Sequence, residues 1–214
     1  MKNIAFIINP MSGTQNKRRL PKLINELLDK HQWLENIVFT EHVGHALALA
    51  KQYATMGFDA VVAIGGDGTV REVAEGVAGS HSALGIIPMG LTNTLARHLG
   101  IPLRGNTSIT WLNHCEPLQC DSMEVIIDED QRLTAMTELH AGETRVINCA
   151  QGVKTSIQDG LLQVEGPEAT DESQETSVAF SGTALIDNEE YQVEHSLQIR
   201  VLPDSLYVLA PKRF

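Results

Sequence analysis

The stretch from Val61 to Ala74, Val-Val-Ala-Ile-Gly-Gly-Asp-Gly-Thr-Val-Arg-Glu-Val-Ala, restricts the fold more than any other part of the chain. It begins as a short β-branched apolar run, the pattern of a strand buried on both faces in a parallel sheet. Three glycines then surround one carboxylate, Asp67. Past Thr69 the apolar residues Val70, Val73, Ala74 and Val77 recur at helical spacing, and Gly79 is the expected stop. A strand, a glycine turn and a helix start offer bare backbone N–H groups and the positive end of a helix dipole. That is the chemistry of a phosphate site.

The commoner phosphate motifs do not fit. The lysine of a P-loop is missing, and Arg71 stands where a dinucleotide fingerprint has its third glycine. What remains is an aspartate inside an anion cradle, which is repulsive unless a cation or an ordered water lies between. Asp67 therefore implies Mg2+, held directly or through water. The plainer alternative is a tight turn capped by Asp.

The surrounding chain places this motif in a sheet. Ile4–Ile8, Ile37–Thr40 and Leu84–Pro88 read as further strands. The apolar stripe Leu20, Leu23, Ile24, Leu27 and Leu28 predicts a helix, with Pro21 in its first turn. Helices are also expected from Gly44 to Met56, from a Thr92 or Asn93 cap through Leu99, and from Asn106 to His114. Lys17, Arg18 and Arg19 sit at the entrance to the first helix, near the Asn9 turn; they could reach nucleotide phosphates, but a solvated basic cluster is the slightly favoured reading. Strands alternating with helices predict a Rossmann-like parallel α/β lobe over residues 1–119, with ligand loops at the carboxyl ends of its strands.

After Cys120 the texture changes to short runs between turn residues, among them Met123–Ile127, Thr144–Ile147, Leu161–Val164 and Leu206–Leu209. Residues 120–214 therefore read as an antiparallel β-sandwich or barrel lobe, with an acidic loop over 165–176. The first 119 residues carry a net charge of +1 and the remainder −12, so no basic face for nucleic acid exists. No apolar window spans a bilayer, and no basic amphipathic helix is present, which leaves peripheral membrane contact at most. Met1–Ile4 runs straight into a strand with no signal peptide, and the odd set Cys115, Cys120 and Cys149 reads as reduced thiols in a cytoplasmic protein. Edge strands in the second lobe could pair two copies into a homodimer.

Gly65-Gly66-Asp67-Gly68-Thr69 after an apolar strand resembles the nucleotide motif of the diacylglycerol kinase and sphingosine kinase catalytic superfamily, with NAD kinases and phosphofructokinases as cousins. Asn9-Pro10-Met11-Ser12-Gly13, Thr40 with His45-Ala46, Pro88-Met89-Gly90 with Asn93, and Leu95-Ala96-Arg97 follow in the family's order over residues 3–102. The resemblance implies an ATP-dependent kinase that phosphorylates a hydroxyl of a lipid acceptor such as diacylglycerol or a sphingoid base. It implies that Asn9, Ser12 and Gly13 line the nucleotide, that Thr40 meets the nucleoside, and that Gly66, Asp67, Gly68 and Thr69 take the phosphates. Glu72 would be an orienting carboxylate and Asp67 the Mg2+ residue. Ser156–Val164 resembles the family's Asp-Gly-x-Leu-x-Val segment, which makes Asp159 the general base. Asp187-Asn188-Glu189 resembles an Asp-Gly-Glu on the nucleotide side, which places Glu189 there.

Two departures stand out. Leu91 occupies the place where the family has a nucleotide-binding threonine, so Thr92 would have to serve through a shifted loop. Only about forty residues separate the first lobe from Asp159, where the family carries the lipid cleft and a structural cation site. Both favour an alternative, a nucleotide-binding regulatory protein without phosphotransfer or a kinase for a soluble acceptor.

Overall fold

The computed structural model describes residues 1–13, 17–135, 138–141, 144–147, 155–158, 161–164, 175–179, 181–186 and 189–211. The chain divides into two compact units, Met1–Gln119 with Leu206–Phe214, and Cys120–Ser205. The C-terminal segment expected in the second lobe thus belongs with the first.

The first unit opens with β1 (Lys2–Ile8), a 3-10 turn (Lys17–Arg19), α1 (Leu20–Leu27), β2 (Trp33–Phe39) and α2 (His45–Thr55). It continues with β3 (Ala60–Gly65), α3 (Asp67–Val77), β4 (Ala83–Pro88), α4 (Thr94–His98) and α5 (Gly105–Leu112). β5 (Cys115–Ile127) then leads into the second unit. β1 pairs in parallel with β2 on one side and β3 on the other, and β3 pairs in parallel with β4. The returning chain adds a fifth parallel neighbour, with Tyr207 opposite Ala83 and Val208 opposite Leu84. The β1–β2, β2–β3 and β3–β4 connections are each carried by a helix, as parallel pairing requires, whereas the segment beside β4 returns only after the chain has built the second unit.

Helices cover both faces. Ile4, Phe6 and Ile8 join Val62, Ile64 and Ile87 in one core with Leu20 and Ile24 of α1 and Ile109 and Leu112 of α5. The alternate residues Ala5, Ile7, Val61 and Ala63 are also fully buried, against the face that carries α2 and α3. The continuous apolar runs that marked these strands are the consequence of burial on both sides. Gly76 lets α3 lie close on α2: a Cβ there would come within 2.5 Å of the Ala50 methyl.

In the second unit β6 (Gln131–Ala135) pairs antiparallel with β5. Then follow β7 (Glu138–Ala141), β8 (Thr144–Ile147), β9 (Thr155–Gln158), β10 (Leu161–Val164), β11 (Glu175–Ala179), β12 (Gly182–Ile186), β13 (Glu189–Val193) and β14 (Ser196–Pro211). β11 pairs with β14, and a separate antiparallel sheet runs in the order β13-β12-β7-β8. Met123, Val125 and Leu133 from the first set share a core with Ala184, Ile186 and Val193 from the other. Two antiparallel sheets facing across one apolar layer make a sandwich. The protein is therefore a parallel α/β unit joined to a small antiparallel β unit. Among the described residues no helix is long and apolar enough to cross a membrane.

Three boundaries differ from the sequence reading. α3 starts at Asp67, so Asp67, Gly68 and Thr69 form its first turn instead of preceding it. β2 begins at Trp33, four residues before the apolar run that announced it, because an edge strand tolerates the polar Glu35 and Asn36. β14 runs unbroken from Ser196 to Pro211 and absorbs Leu206–Leu209, which the sequence reading took as a separate short run; Asp204 takes φ 50° and the strand continues around it.

Candidate functional site

Three loops leave the carboxyl ends of β1, β3 and β4 side by side. Asn9 N–H donates to the Ile64 carbonyl at 3.0 Å, and Met89 N–H donates to the Gly65 carbonyl at 2.7 Å. None of Gly65, Gly66 and Gly68 has a positive φ, and Gly65 and Gly66 owe their places to close approach, not to left-handed backbone. A Cβ on Gly65 would lie 2.5 Å from Thr69 Oγ1, and one on Gly90 would lie 2.5 Å from the Gly66 Cα. Gly13 needs both properties: its φ is +59° and a Cβ would meet the Met89 carbonyl oxygen at 2.1 Å.

Among the described residues no side chain accepts from the amides of the first turn of α3, which Gly66 enters in extended conformation. Helix-terminal N–H groups of this kind attract negative charge. Asn9 fixes the neighbouring loop against the turn, donating from Nδ2 to Thr69 Oγ1 at 2.9 Å while its Oδ1 accepts from Met11 N–H. Thr69 and Thr40 are both buried, and Thr40 N–H donates to the Ile8 carbonyl at the end of the β1–β2 ladder.

Asp67 points across to the third loop. Its Oδ2 accepts from Thr92 Oγ1 at 2.5 Å and Asn93 N–H at 2.9 Å, and its Oδ1 from Thr94 N–H at 2.6 Å. The cap of α4, expected from Thr92 or Asn93, is thus supplied by Asp67 from 26 residues away. The reason is conformational: Asn93 sits at φ 51°, and its side chain is engaged by Gly90, through Gly90 N–H to Oδ1 and Nδ2 to the Gly90 carbonyl. Asn93 is the site residue whose role the sequence reading understated, and the Gly90-x-x-Asn93 spacing is the signal that carries it.

Glu72 plays a comparable part. Its two carboxylate oxygens accept from Gly44 N–H at 3.0 Å and Ala46 N–H at 3.1 Å, so it caps α2 from the second turn of α3. Lys17, read as solvated, is buried, with its ammonium on the carbonyl and hydroxyl oxygens of Ser12. Leu91 is 87% exposed, and the Thr92 hydroxyl donates to Asp67. The structure therefore gathers Asn9, Ser12, Gly13, Gly66, Asp67, Thr69 and Thr92 into one set of loops. Asp159 lies outside the described residues, and of Glu189 only the backbone, at the start of β13, is described.

A carboxylate offers about four acceptor positions. Asp67 uses three on the 92–94 loop, so one remains on Oδ1. Among the described residues no group of three His, Cys, Asp or Glu side chains is gathered to chelate a metal. This donor set suits a Mg2+ that arrives with phosphate ligands and keeps waters between itself and Asp67.

The sequence profile of the diacylglycerol kinase catalytic domain matches residues 3–125, more than half of the chain. The chain belongs to that family. Over 104 residues it is 36% identical to the diacylglycerol kinase of Bacillus subtilis (strain 168), covering 48% of this chain and 34% of that protein. The diacylglycerol kinase of Staphylococcus saprophyticus is 38% identical over 104 residues, covering 47% and 34% respectively. The matched stretch is thus about a third of the length of these curated relatives. Over almost the whole chain the fold is similar to that of a Bacillus anthracis str. Sterne diacylglycerol kinase, with a TM-score of 0.62 at 16% identity and 98% and 97% of the two chains covered.

Proposed function

We propose that this chain is an ATP-dependent kinase that transfers a phosphoryl group to a hydroxyl of a lipid acceptor, diacylglycerol or a sphingoid-like base. The observation that carries the reading is the convergence of the loops after β1, β3 and β4 on an α3 N-terminus whose first-turn amides take no side-chain acceptor among the described residues. Backbone N–H groups of Asp67, Gly68 and Thr69 would take phosphate oxygens, and Asn9, Ser12 and Gly13 would border them, with Thr40 nearer the nucleoside. Asp67 holds the 92–94 loop, and its remaining lone pair would be the one available to hold Mg2+ through water. That ion supplies charge neutralisation on the nucleotide phosphates. Glu72 shapes the site indirectly, by fixing the start of α2.

In this reading Asp159 accepts the proton of the acceptor hydroxyl as its oxygen bonds to the γ-phosphorus and the bond to the leaving ADP oxygen breaks. The family resemblance gives Glu189 a role toward the nucleotide. The first unit, residues 1–119 with the returning segment from Leu206, acts as a nucleotide-binding domain and Cys120–Ser205 as a β-rich domain, in a cytoplasmic protein that touches the membrane only peripherally and is compatible with a homodimer. The test is ATP consumption with short-chain diacylglycerol, sphingosine and glycerol as acceptors. Turnover with a lipid, abolished in Asp159→Asn with ATP binding intact, is the expected result. Turnover unchanged in that variant removes Asp159 from the reaction.

A second reading is favoured by Leu91, whose side chain cannot donate to a nucleotide, and by the engagement of Thr92 with Asp67. It is a nucleotide-binding regulatory protein that does not transfer phosphate. ATP binding without consumption over the whole acceptor panel selects it, and turnover with glycerol alone selects a kinase for a soluble acceptor.

A further inference from the structure

Lys17 is only 4% exposed, which is rare for a lysine unless its ammonium is held. Immobilising so long a side chain also costs rotamer entropy. Both recorded partners of the ammonium belong to a single residue: it donates to the Ser12 carbonyl oxygen and, at 2.7 Å, to Ser12 Oγ. Burial lowers the Lys17 pKa from the ordinary lysine value.

These contacts define the conformation of one peptide group. With Lys17 donating to Ser12 Oγ, the hydroxyl proton turns to the Asn9 carbonyl at 3.2 Å. With Lys17 also holding the Ser12 carbonyl, the N–H of Gly13, on the opposite edge of the same trans peptide plane, is aimed away from the ammonium. Glycine at φ +59° gives this peptide little resistance to flipping on its own. Asn9 in turn ties the loop to Thr69 in the first turn of α3.

We propose that Lys17 is a positioning residue of the nucleotide site, acting through Ser12 to fix the Ser12–Gly13 peptide and hold the Asn9–Gly13 loop in its anion-receiving shape. The inference rests on the nucleotide reading above. It assigns Ser12 to the interior of the loop, where its hydroxyl donates to Asn9, and leaves the Gly13 amide for the phosphates.

The experiment compares ATP and adenosine dissociation constants, by calorimetry on the full chain, for wild type, Lys17→Met, Lys17→Arg and Ser12→Ala, with Lys22→Met as an exposed-charge control. Lys17→Met is expected to weaken ATP about tenfold or more while leaving adenosine within about twofold, since a charge-assisted contact is lost on the phosphate side alone. Lys17→Arg should restore part of the loss, and Lys22→Met should bind as wild type. Equal ATP affinity in Lys17→Met and wild type overturns the inference, as does a parallel loss of ATP and adenosine, which a merely structural lysine would give. If Lys17→Met does not fold, Ser12→Ala decides: a several-fold loss for ATP alone supports the role, and unchanged ATP affinity overturns it. Wild-type protein that binds no ATP refutes the nucleotide reading itself, a result distinct from any of these.

Discussion

Replacing Asp67 by asparagine tests the clamp between the α3 turn and the 92–94 loop. The carboxylate accepts three hydrogen bonds, two of them from consecutive backbone amides at the start of α4. In Asp67→Asn one oxygen becomes an NH2 group, which must face at least one N–H donor, and the charge that favours a helix N-terminus disappears. One charge-assisted bond is lost and the others weaken, for a cost of about 2–3 kcal/mol at this half-buried position. Thr92→Val, which removes one hydroxyl donor and leaves the two amide bonds, should cost about 1 kcal/mol. Urea unfolding followed by far-UV circular dichroism measures both. With a slope of roughly 2–3 kcal/mol per molar, the Asp67→Asn midpoint should fall by about 1 M and that of Thr92→Val by less than half as much. A midpoint for Asp67→Asn equal to wild type, or a larger loss in Thr92→Val, refutes the assignment of Asp67 as the cap of α4.

Gly13→Ala should lower stability by at least about 2 kcal/mol, because left-handed backbone is combined with a clash against the Met89 carbonyl. Gly44→Ala, at φ +80° with nothing within 4 Å, should cost only about 1 kcal/mol, and similar thermal midpoints for the two would contradict the close approach. The carboxylate of Asp128 accepts from the amides of Glu194, His195 and Ser196, and the Glu194 bond is the largest cause of its lowered pKa. Its contribution to stability is therefore complete above the ordinary aspartate pKa and is lost as pH falls through the lowered one, so Asp128→Asn should flatten the acid limb of a stability–pH curve. Identical acid limbs in the two proteins would remove Asp128 as a cause. Burial pushes the Cys115 thiol up to about 12, so labelling at pH 8 mapped by mass spectrometry should find it unreactive until the chain unfolds. Modification of Cys115 in the native state would contradict that burial.

The parallel sheet was legible because its strands are buried on both faces and read as uninterrupted apolar runs. Ile4–Ile8, Ala60–Gly65 and Ala83–Pro88 are the clearest cases. The loops that follow them carry glycines in fixed places, and the sheet sets those loops side by side, so their association was legible too. The side-chain partnerships that hold the loops were not. Asp67 reaches Asn93, Glu72 reaches Gly44, and Lys17 turns back onto Ser12; each pairing depends on tertiary approach and leaves no periodic trace in the sequence. β2 and β14 show the other limit. An edge strand carries polar residues on its exposed side, and Leu206–Leu209, which reads as a separate short run, is absorbed into a longer strand around one residue of positive φ.

The proposed nucleotide site requires the three loops to form one receptor for phosphates. Backbone-amide NMR of the 23.4 kDa chain, titrated with ATP in the presence of Mg2+, tests this directly. Saturating shifts should concentrate at the amides of residues 9, 11–13, 65–69 and 90–94, with a common dissociation constant. Shifts that leave residues 65–69 untouched while ATP binds elsewhere, or none at millimolar ATP, would contradict it.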